Sequence, residues 1–218
     1  MSVELNVAAG QRVERKLLIH VAEWGFNNYT LLTAEPSDWS TNYTDYYTKS
    51  GTTYTKVTGA EAPTFATNTY YKLEAAQREI LGTRVEDSSI ELNADIQTST
   101  DIRGKTYTDV NKTEPQQTLE GPVMGGSKLS AYLYDAAMHN RISDYNGMFN
   151  VYVIAAFIGD STNGYETVMH KNCSIIPTSI GGDTFVNMPL ELHYSNDIVS
   201  GTVDKLSDDF TFTEDVTV

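Results

Sequence analysis

Four histidines (His20, His139, His170 and His193) and one cysteine (Cys173) are the side chains best suited to metal or nucleophilic chemistry in this 218-residue chain. Their spacing does not assemble a site. His170-Lys-Asn-Cys173 has the H-x-x-C form, but two ligands do not make a tetrahedral metal site. Cys173 shares strand parity with Met169 and Ile175, which predicts a small core residue rather than a ligand or nucleophile. A single cysteine also excludes an internal disulfide framework. No G-x-S-x-G elbow, Walker loop or dinucleotide fingerprint is present. Gly181-Gly182 lies between strand-like runs with no helix after it, so it reads as a turn and not a phosphate cradle. The acidic neighbours Glu86-Asp87 and Asp208-Asp209 would point to opposite faces of an extended chain, which argues against a catalytic dyad. The residues predict no enzyme, no metal and no cofactor.

The polar residues that do form a pattern lie between Ser88 and Thr98. Ile90, Leu92, Ala94 and Ile96 alternate with Glu91, Asn93, Asp95 and Gln97. A period of two over that length predicts one half-buried strand with a wet face of carboxylates and carboxamides. Phe185 to Tyr194 repeats the pattern. Val186, Met188, Leu190, Leu192 and Tyr194 alternate with Asn187, Glu191 and His193.

Charge narrows the function further. The formal net charge is −14, and from Leu206 onward the ionisable side chains are acids alone. Proteins that neutralise phosphates need clustered Lys and Arg, and none is present. No segment approaches the ~20 apolar residues of a membrane span, and Met1 to Lys16 lacks an apolar signal core. The expectation is a chain made and used from the cytoplasm, with no membrane partner.

Several elements must position these residues. Val13 to Leu32 reads as one or two strands. From Pro36 to Tyr71 Leu and Ile vanish and Thr and Tyr dominate. Trp39-x-x-Asn42 followed by Tyr46-Tyr47 is echoed by Phe65-x-x-Asn68 followed by Tyr70-Tyr71. Ser50-Gly51 marks a hairpin turn. This stretch predicts a small inserted β-module at 36–71, with Trp39, Tyr43, Tyr46, Tyr47, Tyr54, Phe65, Tyr70 and Tyr71 as its aromatics. Trp39, Tyr46, Tyr54, Phe65 and Tyr70 supply a miniature core. The main domain takes 1–35 and 72–218. Lys105 to Thr113 returns after the turn at Thr100 to Gly104. One helix is predicted from Ser127, its N-cap, to about Ser143, with Leu129, Leu133, Ala136 and Ala137 on its buried face and Tyr132 and Tyr134 packing beside them. Met148 to Ile158 is a buried strand. The fold class is mainly β: an antiparallel β-sandwich or barrel with one flanking α-helix.

Ordered pieces of the chain resemble the major tail tube proteins of long-tailed, non-contractile bacteriophages. They are Gly82 to Leu92, Thr100-Asp-Ile-x-Gly104-Lys-x-Tyr-Thr108, Asn111-Lys-Thr-Glu-Pro115-x-x-Thr118, and Gly125-Gly-Ser-Lys-Leu129. His170-x-Asn-Cys173 through Pro177, Ser179 to Asp183, Met188-Pro189, Ser195-Asn196 and Gly201 to Asp204 follow. The stretch at 36–71 departs from the family, which has a short connection there, and resembles a Tyr-rich module of gut-phage virion proteins. The resemblance implies a virion tail component assembled in the host cytoplasm. Hexameric rings would stack into a tube, with a tape measure protein inside and terminator and tail tip proteins at the ends. Each subunit would lend four strands to an inner barrel. Twenty-four strands at about 4.8 Å spacing and about 45° tilt enclose a backbone diameter near 50 Å, leaving a channel of roughly 40 Å. DNA would pass through it transiently and without sequence preference. Glu91, Asn93, Asp95 and Gln97, with Asn187, Glu191 and His193 on a neighbouring strand, are the expected lumen-facing residues. An acidic wall repels phosphate and lets the duplex slide. Two other readings stand beside this: the tube of a contractile tail or injection device, and a glycan- or cell-surface-binding β-module with tyrosines as stacking platforms.

Overall fold

The alternating runs fold into fifteen strands and two α-helices in a computed structural model that describes residues 7, 8, 10–26, 28–82, 89–121, 123 and 125–215. In chain order they begin with β1 (Leu18–Trp24), β2 (Tyr29–Leu31), α1 (Trp39–Asn42), β3 (Tyr46–Ser50), β4 (Thr53–Lys56), β5 (Tyr70–Leu73) and β6 (Gln77–Ile80). Next come β7 (Ile90–Glu91), β8 (Ala94–Thr100), β9 (Thr106–Thr113), β10 (Gln116–Leu119) and α2 (Lys128–Met138). The chain closes with β11 (Phe149–Asp160), β12 (Gly164–Pro177), β13 (Leu190–His193), β14 (Ile198–Val203) and β15 (Phe212–Glu214). The protein is mainly β, and its strand pairs are antiparallel. Among the described residues no helix is long and apolar enough to cross a membrane.

The chain divides into two compact units, Gly25–Gln77 and the remainder. The larger unit is organised by β12. Its first half pairs with β11 and β14, and its last four residues pair with β13. Asn172, at φ 55°, and a register shift against β11 between Phe149 and Val151 mark where it changes neighbours. A strand that turns a corner in this way splits one sheet into two facing halves. One half holds β6, β1, β11, β14 and β15; the other holds β13, β10 and β7. Between them lie Ala22, Trp24, Phe149, Val151, Cys173, Ile175 and Leu192, closed on one side by Leu129 and Leu133 of α2. Val21, Tyr152, Ile154, Met169, Val203 and Phe210 form a second cluster on the other face of the first half. With apolar residues on both faces, β11 reads as a continuous apolar run. The bulge corrects one expectation: Met169 belongs to the second cluster and Cys173 with Ile175 to the first, because the extra residue reverses the parity.

α2 starts where the sequence places it. Ser127 accepts a hydrogen bond from the Ser130 amide at 3.0 Å, and Leu129, Leu133 and Ala136 are buried. A second cap was not legible. Glu79 of β6 accepts from the Lys128 and Leu129 amides at 2.9 and 3.1 Å and from the Ser127 hydroxyl at 2.6 Å. The helix ends at Met138; Ile142 to Asp144 form a separate 3₁₀ turn. Tyr132 packs inward and donates to the Asp144 carbonyl at 2.8 Å, whereas Tyr134 faces outward.

The smaller unit is a four-stranded sheet in the order β2-β5-β3-β4. β2 lies here and not in the main sheet, since Tyr29–Leu31 pairs with Tyr71–Leu73. The two halves of the sequence echo pair with each other, Tyr47 opposite Tyr71, and Trp39 meets Phe65 edge-on at 5.2 Å. One sheet face is a core of Trp39, Tyr43, Tyr46, Val57 and Tyr70, joined by Phe65. Polar tips are satisfied inside it: Trp39 Nε1 donates to the Pro63 carbonyl, Tyr43 to that of Gly59 and Tyr46 to Asp38 Oδ1, each at 2.8 Å. Burial and the Asp38 carboxylate push the Tyr46 hydroxyl up to about 12. Tyr54 is not in this core. It reaches across the opposite face to stack on Tyr29, with ring centroids 3.9 Å apart, while Tyr47 and Tyr71 meet that stack edge-on.

Candidate functional site

The run from Ser88 to Thr98 is not one strand. Ser88 lies outside the described residues, as do Thr83 to Asp87 of the resembling segment. β7 ends at Glu91, and Asn93 takes a left-handed φ of 43°, a conformation that asparagine tolerates better than most residues. Its side-chain amide donates to the Glu114 carbonyl at 3.2 Å, which fixes the kink. Beyond the kink, among the described residues, β8 pairs with β9 alone, as a two-stranded ribbon. Every residue of both strands is exposed in the single chain, with Ile96 at 58% and Val110 at 60%. The expected half-burial of Leu92 and Ile96 therefore does not occur within one copy. The alternation survives as two faces of the ribbon. Ile96 stands opposite Val110, Thr98 opposite Thr108 and Thr100 opposite Thr106 on one face. Asp95, Gln97, Ser99, Tyr107, Asp109 and Lys112, the last registered against Asp95, occupy the other.

Below the kink, the structure brings three expected residues together. Gln116 of β10 is registered against both Glu91 of β7 and His193 of β13, and Thr118 against Glu191. Paired residues share a sheet face, so Glu91, Glu191 and His193 stand on one face of this half-sheet, opposite the buried Gln117 and Leu192. His193 Nε2 is 3.6 Å from Glu191 Oε2. Asn187 is not part of this strand; it forms an isolated bridge with Gly181. β13 is shorter than the sequence pattern because Pro189 has no amide to donate and its carbonyl accepts from Thr178. Phe185 and Val186 are consequently exposed.

Side chains with nucleophilic or acid–base potential are absorbed by packing. Cys173 is buried and donates to the His170 carbonyl at 3.3 Å; burial pushes its thiol up to about 11. His170 lies against Tyr194, with Nδ1 3.0 Å from the Ser195 carbonyl oxygen. The amide of buried Gln117 contacts His20 Nδ1 at 3.1 Å across the core and accepts from the Tyr194 hydroxyl at 2.7 Å. Glu23, also buried, accepts from Arg78 Nε at 2.8 Å, Asn150 Nδ2 at 2.9 Å and the Tyr152 hydroxyl at 3.1 Å. Arg78 is clamped over the Phe210 ring, 4.4 Å from its centroid, and donates to the Phe210 carbonyl. Sequence reasoning missed this network, whose partners lie 55 and 127 residues from Glu23. Among the described residues, no group of three or more His, Cys, Asp or Glu could hold a metal ion. A cleft of about 410 Å³ runs beside the start of α2, past Leu119, Gly126 and Met188, but Glu79 already occupies the helix amides there.

No protein-family model matches the sequence, and no curated protein matches it. Distant likenesses are found among solved structures. A chain of the anti-feeding prophage (AFP) baseplate is 12% identical over 92% of this chain and 100% of its own, with a TM-score of 0.42. A chain of the sheath–tube complex of an extracellular contractile injection system (PVC), in its extended state, is 14% identical over 55% of this chain and 81% of its own, with a TM-score of 0.36. A chain of the AFP tube-terminating cap is 10% identical over 79% and 95%, also with a TM-score of 0.36. Likeness this distant does not bear on activity or assembly.

Proposed function

We propose that this chain is the structural subunit of a phage tail tube, forming hexameric rings that stack around a polar channel for DNA. The observation that carries the reading is the β8–β9 ribbon. A two-stranded hairpin with no third strand is marginal in water, and its open edges invite pairing with another chain. This one keeps an apolar face of Ile96 and Val110 in solvent. Such a ribbon is explained if neighbouring copies supply the missing strands and cover that face. Its other face, with Asp95, Gln97 and Asp109, then lines the channel beside Glu91, Glu191 and His193. Carboxylates outnumber the one lysine of this face, Lys112, which is paired to Glu114, and such a wall holds no phosphate.

The ordered sequence pieces resemble the non-contractile kind of tail, the contractile kind stands beside it, and stoichiometric binding of a sheath protein would decide for the latter. The tyrosines of the smaller unit do not favour a glycan platform, since Tyr29 and Tyr54 spend a ring face on each other. The reading places that unit outside the channel. The test is assembly. Replacing residues 94–113 by a short Gly-Ser turn should leave a folded monomer and abolish rings in negative-stain images and light scattering. Rings formed without the ribbon would sink the proposal.

A further inference from the structure

The ribbon carries charge unevenly along its length. At its tip, Ile102 is fully exposed, with Arg103 and Lys105 exposed beside it. The turn holding them is ordered. The Gly104 amide donates to the Asp101 carbonyl at 2.9 Å, and the Asp101 amide to that of Lys105 at 3.0 Å. Asp101 Oδ1 accepts from the amides of Arg103 and Lys105 at 2.8 and 3.0 Å, and these bonds hold the carboxyl below its usual range. Gly104 has φ 77°, where a side chain would be strained. The one acid of the tip is thus turned onto its own backbone, and the two cations are left facing solvent. Among the described residues neither makes an ion pair; Lys105 lies 5.1 Å from the Tyr107 ring centroid.

At the root the signs reverse. Leu92 is 60% exposed, with exposed Glu91 before it and exposed Asp95 beyond the kink. Asp95 accepts from the Asn111 amide at 3.3 Å and stands opposite Lys112, which is paired to Glu114 at 2.5 Å, so one cation faces the three carboxylates Glu91, Asp95 and Glu114. An apolar residue with surplus cations therefore sits at one end and an apolar residue with surplus anions at the other. Seven residues of strand separate them by about 23 Å, so they cannot satisfy each other within one copy.

We propose that Ile102, Arg103 and Lys105 at the tip of one copy seat on Glu91, Leu92 and Asp95 at the root of a second copy in the next ring. This rests on the ring reading. Ribbons related by a closed rotation all run in one direction, so tips leave by one rim and roots by the other. Stacking identical rings then brings tip to root. The opposite charges set the polarity of the stack, and like charges disfavour tip-to-tip contact.

Two variants of the full chain test the contact, R103E/K105E and E91K/D95K. At low salt each alone should form rings but need at least about tenfold more protein to form tubes. An equimolar mixture should restore tubes to near the wild-type concentration, because alternating rings then match at every rim. High salt should shrink all of these differences. Tubes of R103E/K105E at the wild-type concentration, or a mixture that restores nothing, would overturn the contact while leaving the ring reading intact. Wild-type protein that forms no rings would overturn both. Loss of duplex-DNA retention by R103E/K105E with unaltered tubes would assign the tip to nucleic acid instead.

Discussion

Replacing Ile96 and Val110 together by serine should separate assembly from folding. Both side chains stand in solvent, at 58% and 60% exposure, and neither belongs to a core cluster of the single chain. Full burial of such a side chain is worth roughly 1.5–3 kcal/mol. Covering the part that remains exposed is therefore worth about 1–1.5 kcal/mol each, or about 2–3 kcal/mol for the pair. At about 1.4 kcal/mol per tenfold, each subunit contact should weaken by roughly thirty- to a hundredfold. A closed ring compounds that loss, since every contact carries it. The monomer should be nearly unaffected, because surface substitutions away from packed features stay within about 0.5 kcal/mol. Sedimentation across a dilution series reads the ring equilibrium, and thermal unfolding of dilute protein reads the monomer. Two results would refute the reasoning. Rings that persist at wild-type dilution would mean that the face is not covered by a neighbour. A monomer melting many degrees lower would mean that the ribbon already packs within its own chain.

Four further outcomes follow from the same geometry. Arg78→Ala leaves the Glu23 carboxylate buried without its cation and should cost about 3–5 kcal/mol in urea unfolding, whereas E23Q/R78M should recover most of it; equal losses from both would refute the ion-pair account. Burial raises the Cys173 thiol to about 11, so at pH 8 it should resist alkylation in native protein and react fully in denaturant, read by mass spectrometry; rapid native labelling would contradict its placement. Q97K/D109N places cations on the polar ribbon face and should slow DNA ejection from intact tails, most at low salt; unchanged kinetics there would remove the electrostatic role of the wall. Deleting 26–76, so that Gly25 joins Gln77 through a short linker, should leave ring and tube formation intact, and loss of assembly would make the smaller unit part of the ring contact.

Local patterns were legible where the deciding physics is local. Period-two alternation marked β8 and β13. The Ser127 cap with its 3.6-residue stripe marked α2, and the near-continuous apolar run marked β11. The aromatic echo in 36–71 marked strands that pair, although the unit itself extends to Gly25 and Gln77 because β2 joins its sheet. Burial was not legible in the same way. The pattern of Leu92 and Ile96 demands a covered face, but it does not say whether the cover comes from the same chain or another copy; in one copy there is none. The left-handed Asn172 breaks parity, so Met169 and Cys173, which the sequence assigns to one face, end on two, and the left-handed Asn93 divides one expected strand into β7 and β8. The Glu79 cap of α2, the Glu23–Arg78 network and the shared face of Glu91, Glu191 and His193 depend on partners far apart in sequence. The sequence by itself determined a mainly β chain, an acidic polar stripe and the absence of a recognisable catalytic motif. Only the tertiary structure decided where the stripe kinks, which of its residues share a face, and that its apolar side is left open, because those follow from strand pairing between distant segments.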